Sequence, residues 1–395
     1  MVDISNIKNL AVIGVGTMGH EIAQVALMAG FEKVILNDLN KEILNSARIK
    51  IRKNLEKLYT KGKLEGNTTP NLLMNNLLTE IDLSEAVSNA DFVIEAIPEV
   101  MELKQKLFAE LGDLTPKNTI LATNTSTMSI TKIAAFCVKP DKVIGMHFFT
   151  PIVVLRLIEL IKGEKTSEET FEISYEIAQK LPSLKGKRYI AKIQKESPGF
   201  IVNRLTIGSN LYLNWLLDEA NKKGIPIETI DNDITTPPEL GIYAKWDYLG
   251  LDVIYDTMKY FAKEISPDFT PGITLSNLIK EGNLGRKTGR GIYEWLEGKP
   301  SIKTTRRAEI FSSEIYYAIQ LNEGCKLLEE KVVSGYKIID DAMLAGMDIP
   351  GPFSAGRKKY QKWSELLIEL SKKTGLNYFK PCDLMKSGKF INMRK

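Results

Sequence analysis

Residues 9–19 read Asn9-Leu-Ala-Val-Ile-Gly14-Val-Gly16-Thr-Met-Gly19, a short apolar run that ends in GxGxxG. The apolar run predicts a buried strand. The residues after Gly19 keep a helical pattern to about Ala29, so the motif stands between a strand and a helix. In that setting each glycine has a task. Gly14 makes the turn, Gly16 lets the backbone approach a pyrophosphate, and Gly19 allows close helix–strand packing. The helix N-terminus then faces the phosphate charge. Asp38 comes 19 residues after Gly19, just past the next apolar run, Lys33-Val-Ile-Leu-Asn37. A carboxylate there accepts hydrogen bonds from a ribose diol and repels a 2′-phosphate. Strand, glycines, helix and acid together predict a dinucleotide site that prefers NAD to NADP. The plainer alternative is a glycine-rich turn followed by a surface aspartate.

Further apolar runs at Asp91-Phe-Val-Ile-Glu-Ala96, Thr119-Ile-Leu-Ala-Thr123 and Lys142-Val-Ile-Gly-Met146 alternate with helical stretches. Nearly continuous apolar runs suit strands buried on both faces. Their alternation with helices predicts an α/β domain with a doubly wound parallel sheet over residues 1–195. A charged helical excursion interrupts it at 40–76. From 196 to 296 the pattern is helical, with one long amphipathic helix at Phe200 to Lys222, and Gly285-Arg-Lys-Thr-Gly-Arg-Gly291 closes the unit. Glu297 to Arg307 reads as a linker. Residues 305–395 form a worn second copy of the helical unit: Leu217-Asp-Glu219 is echoed by Leu328-Glu-Glu330, Ile230-Asp231 by Ile339-Asp340, and Leu278-Ile-Lys-Glu-Gly282 by Leu384-Met-Lys-Ser-Gly388.

The 395 residues suffice for two to three domains at roughly 150 residues each. An apolar share of 44% and a charged share of 26% exclude a disordered or fibrous chain. The net charge of +4 is spread along the chain, with no basic block interleaved with aromatics, so no nucleic-acid partner is expected. No apolar run approaches the ~18 residues that a membrane span requires. No signal peptide is visible. Three isolated cysteines, Cys137, Cys325 and Cys382, suggest a reducing cytoplasm rather than a disulfide framework. With only His20 and His147 as imidazoles, a zinc site is not expected, and an imidazole-based mechanism has two candidates.

Ligands of open parallel sheets bind beyond the carboxyl ends of the strands. Glu95 and Glu99, Asn124-Thr-Ser126 and His147 all fall at such ends. His147 lies in Met146-His-Phe-Phe-Thr-Pro151, and its position favours catalysis over a core histidine. In Leu155-Arg-Leu-Ile-Glu-Leu-Ile161, strand alternation sets Glu159 in an apolar row. A carboxylate there needs a partner, and an imidazole N–H would serve. His20 reads as packing on the first helix.

The chain resembles the L-3-hydroxyacyl-CoA dehydrogenases of the fatty-acid β-oxidation type. The resemblance rests on Gly14 to Gly19, Glu95-Ala-Ile-Pro-Glu99, Asn124-Thr-Ser126, His147-Phe-Phe-Thr-Pro151, Ser197-Pro-Gly-Phe-Ile-Val-Asn-Arg204 and Gly285 to Gly291, in family order over roughly 7–295. It implies a Rossmann-type domain followed by a helical domain, and NAD-dependent oxidation of an (S)-3-hydroxyacyl-CoA. His147 would be the general base and Glu159 its partner. Ser126 and Asn203 would contact the reacting end of the substrate. Gly14, Val15, Gly16, Thr17, Met18, Gly19, Asp38, Glu99, Lys104, Asn124, Ser126 and Lys287 would hold NAD. Asn54 and Lys61 fall where the family contacts coenzyme A.

Two departures stand out. Thr150 occupies a position where the family has Asn, and one hydroxyl cannot reproduce the bonds of an amide. Pro238-Glu-Leu-Gly-Ile-Tyr-Ala244 replaces the family's Pro-Met-Gly-Pro-Phe-Glu-Leu, which suggests an unusual acyl preference. The tail resembles the second repeat of the multifunctional members. It sets Glu314 opposite Asn203 and lacks a counterpart of Gly285 to Gly291, so it is expected to keep packing and lose chemistry. Single-repeat relatives dimerise through the helical unit, so the second copy is expected to cover that surface and leave a monomer. Any enoyl-CoA hydratase would be a separate partner. Two alternatives remain: a dehydrogenase of a free hydroxy acid or sugar acid, and a non-catalytic NAD/acyl-CoA binder.

Overall fold

The computed structural model describes residues 2–235 and 240–395. Pro238 and Glu239, which open the unusual segment before Ala244, lie outside the described residues. The chain forms two compact units. The first comprises Met1–Val202, Lys331–Gly351 and Lys395; the second comprises Asn203–Glu330 and Pro352–Arg394.

The first unit is built on an eight-stranded sheet. Its strands are β1 (Asn9–Ile13), β2 (Lys33–Asn37), β3 (Leu77–Glu80), β4 (Phe92–Glu95), β5 (Ile120–Thr123), β6 (Val143–Phe148), β7 (Leu157–Lys162) and β8 (Tyr189–Ile193), in the order β3-β2-β1-β4-β5-β6-β7-β8. All neighbours are parallel except β6 and β7. Every residue of β4, β5 and β6 is buried, as strands covered on both faces require. β3 and β8 are short strands that the apolar pattern of the sequence did not reveal.

β1 has β2 on one side and β4 on the other, so the strand order switches direction there. Crevices at such switch points receive ligands. The register aligns Ile13 with Asn37 and with Glu95, and Glu95 with Thr123. The residues that follow these four (Gly14, Asp38, Ala96 and Asn124) therefore form one row along the sheet edge.

Helix α1 (Gly19–Met28) follows β1 directly, and its residues from Ile22 to Leu27 are all buried. Helix α2 (Lys41–Thr60) is the excursion expected from the sequence. The Asn40 side chain accepts the Ile43 amide at its start, and Leu44, Ala47, Ile51, Leu55 and Leu58 supply its buried stripe. The segment from the tail joins this unit through its helix Tyr336–Met347. The Arg156 amide donates to the Ala345 carbonyl at 3.1 Å, and a Cβ at Gly346 would meet Leu157 at 2.6 Å. A side chain at this position would require Leu157 of β7 to shift.

The second unit centres on the helix Val202–Lys223, whose Leu213, Leu217 and Ala220 enter a core with Trp246, Met258, Tyr293 and Trp295. Two buried carboxylates organise it. Asp231 accepts from the Tyr243 and Ala244 amides and the Tyr293 hydroxyl. Asp247 accepts from the Ile292 and Tyr293 amides and the Trp295 indole, which anchors the end of the glycine-rich segment. Local contacts recur along the chain. Asp218 accepts the Thr274 amide at 2.8 Å, and Glu329 accepts the Leu384 amide at 2.6 Å. Gly241 abuts Asp231 as Gly351 abuts Asp340. Among the described residues, no helix is long and apolar enough to cross a membrane, and no cluster of His, Cys, Asp or Glu could hold a metal ion.

Candidate active site

The glycine turn has a physical reason at each position. Gly14 has φ +84°, and a Cβ there would lie 2.8 Å from the Ala96 carbonyl oxygen. A Cβ at Gly19 would lie 1.9 Å from the Gly14 carbonyl oxygen, so the helix can start only with glycine. Gly16 is different: its Cβ would meet nothing within 4 Å. That open space beside the start of α1 is where a pyrophosphate would approach Val15, Gly16, Thr17 and Met18. Asp38 stands at the end of β2 and accepts the Val15 amide at 2.8 Å and its neighbour Leu39's amide at 2.7 Å. Each carboxylate oxygen keeps a further lone pair for a ribose hydroxyl. The residues present fit a dinucleotide.

A second cluster lies at the ends of β4 and β5. Glu95 is fully buried and faces inward rather than towards a ligand. It accepts from the Lys104 ammonium at 2.5 Å, the Thr123 hydroxyl at 2.6 Å and the Ile97 amide at 2.8 Å. Lys104, 1% exposed, also reaches Glu99 at 3.2 Å. Glu99 in turn accepts from the Thr125 hydroxyl, the Ser126 amide and the Ser126 hydroxyl at 2.6, 2.7 and 3.2 Å. Burial pushes the Glu95 carboxyl up, with Lys104 opposing it. Burial also works against the charge on Glu99, but Lys104, Thr125 and Ser126 outweigh it and hold that carboxyl below the usual range. Burial opposes the charge on Lys104 as well, and the two carboxylates reverse this and raise its pKa. One ammonium thus serves two carboxylates and fixes Glu99 against Ser126. Asn124 uses its side-chain oxygen to accept the Phe148 amide at 3.0 Å, which pins the backbone next to His147.

His147 and Glu159 are direct cross-strand partners on antiparallel β6 and β7. The imidazole Nδ1 lies 2.7 Å from Glu159 Oε2. Glu159 is fully buried, and its other oxygen accepts the Ile201 and Val202 amides at 3.1 and 3.0 Å. Such a carboxylate is a fixed acceptor, so Nδ1 carries the proton and Nε2 offers a lone pair. Phe149 and Phe200 lie against the imidazole with ring centroids 4.4 and 5.9 Å away.

Other sequence-predicted residues are placed as follows. Asn54, on α2, donates to the buried Gln24 of α1 at 3.1 Å, and Lys61 is exposed at the C-terminal end of α2. Asn203 and Lys287 belong to the second unit. Asn203 follows Val202 in the first turn of the long helix, and Lys287 pairs with Asp252. Glu314 pairs with Lys362 and Lys359 at the surface.

Sequence reading missed several contributors. His20 is not simply packed: its Nδ1 donates to the Gly16 carbonyl at 2.6 Å and braces the glycine turn. Glu21 accepts the Ile152 amide at 2.7 Å and the Thr150 hydroxyl at 3.2 Å. Thr123 and Thr125 complete the carboxylate cluster. The two residues after Gly19 were legible as helix-start positions, but their partners come from elsewhere in the fold.

Residues 9–190 match the family model described as 3-hydroxyacyl-CoA dehydrogenase, NAD binding domain, and 199–295 match 3-hydroxyacyl-CoA dehydrogenase, C-terminal domain. The chain is 35% identical over 297 residues to a 3-hydroxybutyryl-CoA dehydrogenase of Clostridioides difficile, covering 72% of this chain and 99% of the relative. It is 34% identical over 302 residues to the mitochondrial hydroxyacyl-coenzyme A dehydrogenase of Mus musculus, covering 73% and 91%. The crystal structure of a 3-hydroxybutyryl-CoA dehydrogenase from Escherichia coli K12 is similar over 98% of this chain and 99% of that one, with a TM-score of 0.81 and 26% identity.

Proposed function

Since the chain belongs to the 3-hydroxyacyl-CoA dehydrogenase family of NAD-dependent oxidoreductases, we propose that it converts (S)-3-hydroxybutyryl-CoA reversibly to the 3-keto thioester, with His147 as general base. The observation that carries this reading is the His147–Glu159 pair, set at the same sheet edge as the glycine turn. Held at the glycine turn and Asp38, NAD would supply the hydride acceptor for C3. Nε2 of His147 takes the proton of the C3 hydroxyl. Glu159 keeps Nδ1 protonated and stabilises the imidazolium that forms. Ile201 and Val202 hold Glu159 in place by their amides, and Phe149 and Phe200 keep water from the ring.

In this reading Ser126 contacts the substrate oxygen and the edge of the cofactor pocket, with Glu99 orienting its hydroxyl. Lys104 acts through Glu99, because its ammonium is engaged by two carboxylates. Asn203 is proposed as a substrate contact and Lys287 as a cofactor contact, as the family resemblance implies. Asn54 braces α2 on Gln24, and Lys61 offers a cation to a coenzyme A phosphate.

The proton released on oxidation makes the keto product more favoured by about tenfold per pH unit. The direct test is NADH formation with 3-hydroxybutyryl-CoA beside free 3-hydroxybutyrate. The thioester is expected to react and the free acid to remain at background. Equal rates would favour a free hydroxy-acid dehydrogenase, and no reaction with either a non-catalytic binder.

Asp38 carries the cofactor choice. Asp38→Ala is expected to raise KM for NAD about tenfold or more, with little change for NADP. A wild-type enzyme that uses both cofactors equally would overturn this assignment.

We also read 305–395 as a degenerate second copy that makes the chain a monomer. Arg204, on the helix Val202–Lys223, meets the fully buried Glu323 at 2.9 Å and Glu330 at 2.7 Å, and a Cβ at Gly208 would meet Glu323 at 2.6 Å. The face of this helix is thus covered from within the chain. Light scattering should give the mass of one chain at micromolar concentration; a tight dimer would defeat the proposal. The reaction needs a supplier of the 3-hydroxyacyl-CoA, and a separate enoyl-CoA hydratase fits that role.

A further inference from the structure

We propose that Glu21 is a positioning residue that straps the dinucleotide-binding helix to the segment leaving β6, so that cofactor binding steadies the backbone on which His147 sits. The proposal rests on the reading of His147 given above. Glu21 lies in the first turn of α1, two residues beyond Gly19. It does not turn towards the space beside Gly16. Its Oε2 accepts the Ile152 amide at 2.7 Å, and the Thr150 hydroxyl lies 3.2 Å from both of its oxygens. Thr150 and Ile152 follow His147 by three and five residues.

The end of β6 is therefore held at two points. Asn124 takes the Phe148 amide on one side, and Glu21 takes the Ile152 amide on the other. Bonds to an ionised acceptor are shorter and stronger than neutral ones, so this strap is stiff. It also accounts for Thr150. A threonine hydroxyl is a single donor, and a neighbouring carboxylate with two acceptor oxygens lets that one donor suffice for anchoring the loop. The first turn of a helix suits an anion, so Glu21 is stable there before any ligand arrives. A pyrophosphate at the same helix start restrains α1 and, through Glu21, residues 150–152.

The test uses the full chain and NAD. Hydrogen exchange is followed by mass spectrometry on peptides spanning Phe148 to Ile152. In the wild type, NAD is expected to slow exchange at this segment about fivefold or more. In Glu21→Ala the segment should exchange faster, and NAD should no longer slow it, while the Kd for NAD measured by calorimetry stays within about threefold. Turnover of 3-hydroxybutyryl-CoA should fall about tenfold in the same variant, with KM for NAD little changed. Glu21→Gln keeps an acceptor for Ile152 and a donor for Thr150 but loses the charge, and is expected to restore both readouts to between those of Glu21→Ala and the wild type. Should Glu21→Ala not fold, Thr150→Val deletes one of the bonds, and a smaller loss of NAD-dependent protection is expected. NAD-dependent protection that persists in Glu21→Ala, or that is absent from the wild type, overturns the strap. A wild type inactive on 3-hydroxybutyryl-CoA whose protection still depends on Glu21 sinks the functional reading and leaves the strap standing.

Discussion

His147→Gln is expected to lower turnover by about 10²–10⁴ with modest change in NAD affinity. The imidazole is 6% exposed, and glutamine can occupy much of its space among Phe149 and Phe200. What glutamine lacks is a basic nitrogen, so proton removal from the C3 hydroxyl would fall to solvent. The glycine turn and Asp38 do not touch His147, which is why NAD affinity should hold. Stopped-flow measurement of NADH formation under saturating substrate reads the chemical step. Near-normal turnover would remove His147 as base. His20 is the only other imidazole in the chain, and it is engaged by the Gly16 carbonyl. The residual rate therefore has no second histidine to explain it.

Glu159→Gln is expected to cost a comparable factor, on the order of 10²–10⁴, without loss of fold. Glutamine preserves the shape of the side chain, and its carbonyl oxygen can still accept the Ile201 and Val202 amides. The amide nitrogen then faces Nδ1. Two N–H groups cannot share that line, so the ring must reverse its tautomer or turn away. The first takes the lone pair from Nε2, and the second moves it away from the substrate hydroxyl. The anion that would stabilise the imidazolium is also gone. Full turnover in this variant would mark Glu159 as an inert buried acid.

The two variants together separate chemistry from architecture. If thermal stability stays near wild type while turnover collapses in both, the pair acts on the reaction. A fall in stability with turnover intact would make it a cross-strand brace between β6 and β7. The Glu95–Lys104–Glu99 cluster offers a contrast, because it is polar structure whose effect, under the proposed mechanism, would run through Ser126.

What the amino-acid order determined alone is whatever depends on neighbours in the chain. The turn at Gly14 to Gly19 is such a case, because its glycine spacing is read from six consecutive residues between a strand and a helix, although Ala96 and Asp38 complete it in space. The alternation of buried strands with helices, the stripe of α2 and the echoes in the tail are also periodicities along one dimension. His147 and Glu159 were legible as candidates because each is a polar residue stranded in an apolar run. Tertiary structure decided the rest. β3 and β8 are only partly buried, so neither is a continuous apolar run, and pairing with β2 and β7 makes them strands. The inward turn of Glu95 depends on Lys104, nine residues on, and on Thr123 from the next strand. Glu21 and Thr150 are 129 residues apart and carry no pattern that links them. A hydrogen bond is decided by distance in space, and space is assigned only when the sheet has closed its register.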